Sequence, residues 1–180
     1  MSAASKTALG GMAAALSVVI LIPTALEVFV YALPAFAGML TLFCVIELNK
    51  KWAAGVYLSV SLLSLIIVPN KEAAVLYVAF FGYYPILKSF FECCKIRIIE
   101  YVLKFLCFNV SVVLSYLLLV FAFGISVERL FGEELTKVMF IVLPLLMNVM
   151  FIVYDLCLTR IYTVYVAVWQ RKFHKMFRFR

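Results

Sequence analysis

A chain of 180 residues that is 67% hydrophobic, with a mean hydropathy of +1.14, lies far outside the roughly 45–50% apolar usage of soluble domains. Its net charge of +7 would suit nucleic acid in a soluble protein. In a chain this apolar, though, the placement of Lys and Arg matters more than their sum, because basic loops stay on the cytoplasmic side of a membrane. At about 20 residues per crossing there is room for five or six spanning helices and no attached soluble catalytic domain.

The first predicted crossing covers residues 8–22 and is retained, because no small-residue cleavage site precedes a polar mature chain. Its first half, KTALGGMAAAL, is almost all small. Ala8, Gly10, Gly11, Ala14 and Ala15 include two pairs at spacing four, Gly10 with Ala14 and Gly11 with Ala15. Such pairs flatten a helix so that another backbone can approach closely in lipid, where packing drives association. Two readings stand open: packing inside the chain's own bundle, or a face for a separate membrane subunit.

Pro23, Thr24 and Glu27 form a short turn before the second crossing, residues 29–48, which ends in the basic stop ELNKKW. The third covers residues 52–68 and stops at the turn PNKE. The fourth, residues 73–91, carries FFGYYP and so a kink near Gly82 and Pro85. The fifth covers residues 99–123, followed by the acidic loop with Glu128, Glu133 and Glu134. The sixth, residues 138–170, would be about 50 Å long at 1.5 Å per residue, so it tilts or projects from the bilayer. The basic tail, residues 171–180, closes the chain.

The expected fold is therefore all-α, a polytopic membrane protein with six transmembrane helices in one bundle and a single domain over residues 1–180. Lys6, Lys50, Lys51, Lys95, Arg97, Arg171, Lys172, Lys175, Arg178 and Arg180 fall on the side of the termini, against Lys71, Arg129 and Lys137 opposite. That bias predicts a cell-membrane protein with both termini cytoplasmic.

Ionisable groups inside spanning segments are costly and are functional candidates by default. Lys88 with Glu92, and Glu100 with Lys104, stand at spacing four near the inner interface, where they read as snorkelling surface pairs. Asp155 and Arg160 are five apart, about 140° round the helix, and so bond to different neighbours as a structural polar pair. The outer half offers a different set, Glu27, Tyr31, Asn70, Tyr77, Tyr84 and Asn148. These provide aromatic walls and orienting polar groups for a small-molecule cavity, or an interfacial aromatic girdle.

The chain has no Walker-type phosphate loop, and its one histidine, His174, sits in the tail. Its five cysteines lack metal spacing, and no acidic cluster suits Mg²⁺. The expectation is a non-enzyme with no cofactor and no metal. The tail RKFHKMFRFR reads as a juxtamembrane lipid anchor rather than a nucleic-acid contact.

With that layout and the helix 1 motif, the chain resembles the substrate-binding S components of energy-coupling factor transporters. NKEAAVLYVAFFGYYPILKSFFE and LMNVMFIVYDLCLTRIYTVY also look like a Firmicute-type branch of such six-helix proteins. In that family an AxxxA-type motif in helix 1 contacts a transmembrane coupling subunit; here the first position of each pair inside the helix is Gly. The resemblance implies a vitamin-like uptake module that binds its substrate from outside and works with a coupling subunit and two ATPases. The competing class is a membrane assembly protein without a ligand.

Overall fold

Several helices of the computed structural model begin or end where the sequence removes a hydrogen bond or supplies a cap. The structure describes residues 3–27, 29–93, 96–124 and 136–170, and no strand occurs among them. The acidic loop with Glu128, Arg129, Glu133 and Glu134, the pair Cys94 and Lys95, and the tail 171–180 with His174 lie outside the described residues.

Helix α1 (Ala3–Leu21) passes into a 3-10 turn, Ile22–Leu26, with Pro23 in its first positions. Glu27 and Phe29 then adopt left-handed backbone, φ 56° and 60°, which marks a sharp reversal for residues other than glycine. This reversal delays α2 (Ala32–Glu47) by three residues from the expected start at 29, and Pro34 sits in its first turn, where no N–H is missed.

Asn49 leads α3 (Lys50–Ile67), its side chain accepting from the Lys50 N–H at 2.7 Å, so this helix takes in the basic stop. Val68 is extended ahead of Pro69, as a residue before proline prefers. Asn70 caps α4 (Lys71–Leu76) by accepting from the Ala73 N–H at 3.1 Å. The chain then widens into a π-helical turn, Tyr77–Phe81, before α5 (Tyr84–Phe91), which carries Pro85 in its first turn. The break falls where FFGYYP places it. Helix α6 (Arg97–Phe123) ends on Gly124 at φ 62°, a left-handed cap, and α7 (Thr136–Val164) runs on as a second π turn, Tyr165–Trp169.

Five segments have the length and apolar composition of membrane spans: Ala3–Leu26, Lys50–Ile67, Lys71–Phe91, Arg97–Phe121 and Pro144–Trp169. Helix α2 is apolar but shorter, 16 residues, or about 24 Å at 1.5 Å per residue. The protein is an all-α membrane bundle. Its surface fits a lipid solvent, with Ile66 and Phe121 78% and 83% exposed.

The end of the bundle where α1 starts, α2 ends and α3 starts is termed proximal, and the opposite end distal. Tyr165 donates to Glu47 at 2.9 Å and Lys50 to the Ser89 carbonyl at 2.9 Å, which ties the proximal ends of α2, α3, α5 and α7 together. At the distal end Asn70 donates to the Thr24 carbonyl at 3.3 Å.

Two cores fill the bundle. One joins α1, α2 and α3 through Leu21, Ala37, Cys44, Val60 and Val68, with Tyr77 behind them. The other is aromatic, built from Phe80, Tyr84, Phe108, Phe151 and Tyr154, with Phe108 stacked on Phe151 at 4.6 Å. Between the two, α2 runs against the π turn so closely that a Cβ on Gly38 would lie 2.4 Å from the Phe81 carbonyl oxygen and 2.7 Å from the Tyr154 hydroxyl. Among the described side chains, helix α7 is buried along one stripe: Phe151, Tyr154 and Leu158 are buried, whereas Val149, Met150, Val153 and Leu156 face outward.

Candidate functional site

The densest chemistry lies where α5, α6 and α7 converge. Lys88 comes from the last turn of α5, Lys104 from the second turn of α6, and Asp155 from the buried stripe of α7. Lys88 and Lys104 are only 2% and 4% exposed. The sequence reading of both lysines as snorkelling surface pairs is therefore corrected: three helices close over them, and the ammonium groups are satisfied inside the bundle.

Asp155 bridges the two. Lys88 donates to its carboxylate, to its backbone carbonyl at 3.1 Å and to the Thr159 hydroxyl at 2.8 Å. Lys104 lies 3.4 Å from the other carboxylate oxygen, and the Tyr84 hydroxyl donates to Asp155 at 2.7 Å. At the rim Glu92 stands 3.2 Å from Lys88 and 3.7 Å from Lys104, while Glu100 is 2.6 Å from Lys104. The two buried cations thus each have carboxylate partners, as buried charge requires, and the third carboxylate stands at the rim in contact with solvent. The chemistry of the cluster is a lock: it fixes the lightly packed helix α7 to two others.

Arg160 does not join it. The guanidinium is exposed on the outer side of α7 and has no hydrogen-bond or ion-pair partner among the described residues. The 140° between positions 155 and 160 sends one residue inward and the other out.

The six residues expected to face a solute are spread over three levels. Tyr31 and Asn70 sit at the distal end, where Tyr31 donates to Glu72 at 2.9 Å and Asn70 is engaged with Thr24 and Ala73; Glu27 is exposed in the reversal nearby. Partial burial first, then the charge of Glu72 and the hydrogen bond to it, push the Tyr31 phenol up to about 12. Tyr77 is fully buried in the first core, 3.3 Å from the Thr41 hydroxyl, and Tyr84 is fully buried in the lock. Asn148 pairs with Asn109 of α6 at 3.2 Å. Only Glu27, Tyr31 and Asn70 share one region.

The small residues of α1 divide between two faces. Gly10 and Ala14 are buried; a Cβ on Gly10 would meet Val56 at 3.3 Å and Leu48 at 3.7 Å. Ala8, Gly11 and Ala15 are exposed, and nothing lies within 4 Å of where a Gly11 Cβ would stand. With Ala4, also exposed, these residues have the 4-3-4 spacing of a single helix stripe. The Gly10–Ala14 face is thus packed inside the bundle, and the Gly11–Ala15 face is left open.

What sequence reasoning missed was the meeting of Lys88, Lys104 and Asp155. The usable signal was depth. Two cations and one anion stand inside spanning segments, and burial forces such groups to find one another. No protein-family model, curated protein or solved structure matches the chain.

Proposed function

We propose that this chain is a non-catalytic membrane subunit that works by docking on a second membrane protein through the outward stripe of α1. Its most specific form is the substrate-binding subunit of an ATP-dependent uptake transporter for a vitamin-like small molecule, with a transmembrane coupling subunit as partner and two ATPases behind it. The orientation that goes with this reading is multi-pass in the cell membrane with both termini cytoplasmic, as the Lys and Arg bias suggests.

The observation that carries the reading is the open space over Gly11, flanked by exposed Ala4, Ala8 and Ala15. A helix meeting only lipid gains nothing from small residues, whereas a helix meeting another backbone gains close packing. Solute contact then falls to the distal turns, with Glu27, Tyr31 and Asn70 as polar groups.

A second reading has its own support. Tyr77 and Tyr84 are fully buried and hydrogen-bonded within the protein, which leaves fewer groups for a ligand and favours an assembly protein that docks without one. Mass spectrometry of the gently purified chain, coexpressed with its host's coupling subunit and ATPases, separates the two. A small molecule retained by the complex supports transport. A complex that forms with no solute, and with no thermal shift in a metabolite screen, supports assembly alone. No complex at all contradicts both.

A further inference from the structure

We infer that the chain forms a two-fold dimer in the membrane through the outward face of α6, with Asn109 meeting Asn109 of a second copy. The observations lie on α6 and its neighbour α7 and are independent of α1 and of any solute.

Val102, Leu106, Asn109, Val113 and Tyr116 are all exposed and stand 4-3-4-3 apart. That spacing puts them on one side of the helix, in the heptad register by which two helices pack along their length at a crossing near 20°. Four of the five are apolar or aromatic, and the middle one is an amide. Asn109 is also the central residue of the span Arg97–Phe121, about 18 Å from either end at 1.5 Å per residue. An amide facing hydrocarbon at that depth is costly, and polar side chains so placed hold membrane helices together.

The Asn109 amide is only loosely engaged within the chain. One N–H donates to the Phe105 carbonyl at 2.9 Å, a group that the helix already uses for its own backbone ladder. The other N–H reaches the Asn148 Oδ1 at 3.2 Å, and the Asn109 Oδ1 accepts from Asn148 at 3.4 Å with room for a second donor. Turning the first N–H to a neighbour therefore deprives no group of its sole partner.

The bilayer and the amide together select a second copy as that neighbour. Two copies of one chain share orientation and depth, so their two-fold axis runs along the membrane normal. Each residue of such a parallel seam meets its own counterpart at its own level. An ionised side chain would repel its counterpart there, whereas an amide carries both donor and acceptor and pairs with itself through two reciprocal bonds. A different protein would have to bring a polar group to the same depth; a second copy does so by symmetry. One polar residue in an otherwise apolar heptad seam also fixes its register and the number of helices.

The test uses the full chain, purified alone and carrying one fluorophore on a terminal tag, in phospholipid vesicles over a series of protein-to-lipid ratios. Copies per vesicle are counted from photobleaching steps and compared with a monomeric membrane protein of similar size. Two-step traces should exceed that reference and should not pass on to larger assemblies. Asn109→Val should weaken the dimer about tenfold, the worth of one interhelical amide in lipid, with partial retention in Asn109→Gln. The double variant Leu106→Ala/Val113→Ala should weaken it as well. Asn148→Val should leave it intact, because the seam amide is still present.

A wild-type chain no more paired than the reference would overturn the proposal, and would assign the face to a different protein or to lipid. Unchanged pairing in Asn109→Val, or an equal loss in Asn148→Val, would also overturn it. Because the seam residues are exposed, the variants should fold. A matching elution profile and circular dichroism spectrum confirm that the comparison is valid.

Discussion

Lys88 and Asp155, 67 positions apart in sequence, are joined twice: the ammonium group donates to the carboxylate and, at 3.1 Å, to the backbone carbonyl of the same residue. The double attachment fixes the backbone of α7, as well as its side chain, to α5. Replacing Asp155 with Ala leaves two buried ammonium groups short of a carboxylate, and removing one partner of a buried pair costs about 3–5 kcal/mol. The expected outcome is a large fall in the thermal midpoint of the detergent-purified protein. The triple change Lys88→Met, Lys104→Met and Asp155→Leu should recover part of that loss, because it removes the three buried charges together and leaves only Glu92 and Glu100 at the rim. A triple variant no more stable than Asp155→Ala would show that the cluster is not a lock of mutually compensating charges.

Gly38 and Gly11 should respond in opposite ways to the same methyl group. At Gly38 the new Cβ collides with the Phe81 backbone, which cannot rotate away, so Gly38→Ala should cost about 1–3 kcal/mol as overpacking does. Gly11→Ala meets open space and should change stability by no more than about 0.5 kcal/mol. Denaturant titrations of the two variants check this contrast, and equal losses would contradict the placement of α2 against the π turn.

Tyr154 is buried, and its hydroxyl has no hydrogen-bond partner among the described residues. An unmet buried hydroxyl costs about 1–3 kcal/mol, so Tyr154→Phe, which keeps the ring in the aromatic core, should leave the protein as stable or more stable. A clear loss of stability in the same thermal assay would mean that the hydroxyl has a partner after all.

The Tyr31–Glu72 contact gives the distal end a pH limit. A phenol whose folded pKa is raised from 10 to about 12 binds its proton more tightly in the folded state. Its contribution is therefore complete below pH 10 and is lost as pH rises from 10 through about 12. The tyrosinate absorbance gained between pH 10 and about 12 should fall by one residue's amplitude in Tyr31→Phe, and Glu72→Gln should bring that ionisation to lower pH. An unchanged titration curve in Tyr31→Phe would contradict the contact.

The helices were legible because their punctuation is local: Pro23, Pro69, Pro85 and Gly124 act on their own backbone, and the apolar runs between them set the spans. The delay of α2 was not legible, since nothing in the sequence of Glu27 or Phe29 announces a left-handed backbone. The lock was half legible. Spacing four correctly paired Lys88 with Glu92 and Glu100 with Lys104, but it could not reveal that Asp155, more than 50 residues further on, draws both lysines inward. The two faces of α1 were unreadable for a related reason. Gly10 and Gly11 are adjacent in sequence and identical in type, and only the position of Val56 and Leu48 decides which one is covered.

The central claim, that α1 has one face for its own bundle and one for a partner, is tested most directly by three leucine substitutions. Gly11→Leu and Ala15→Leu should leave the chain folded, with an unchanged elution profile and thermal midpoint. In membranes coexpressing the coupling subunit and ATPases, they should abolish copurification of those subunits. Gly10→Leu should instead damage the fold itself, because its side chain points at Val56. Full assembly retained by a folded Gly11→Leu/Ala15→Leu double variant would contradict the account.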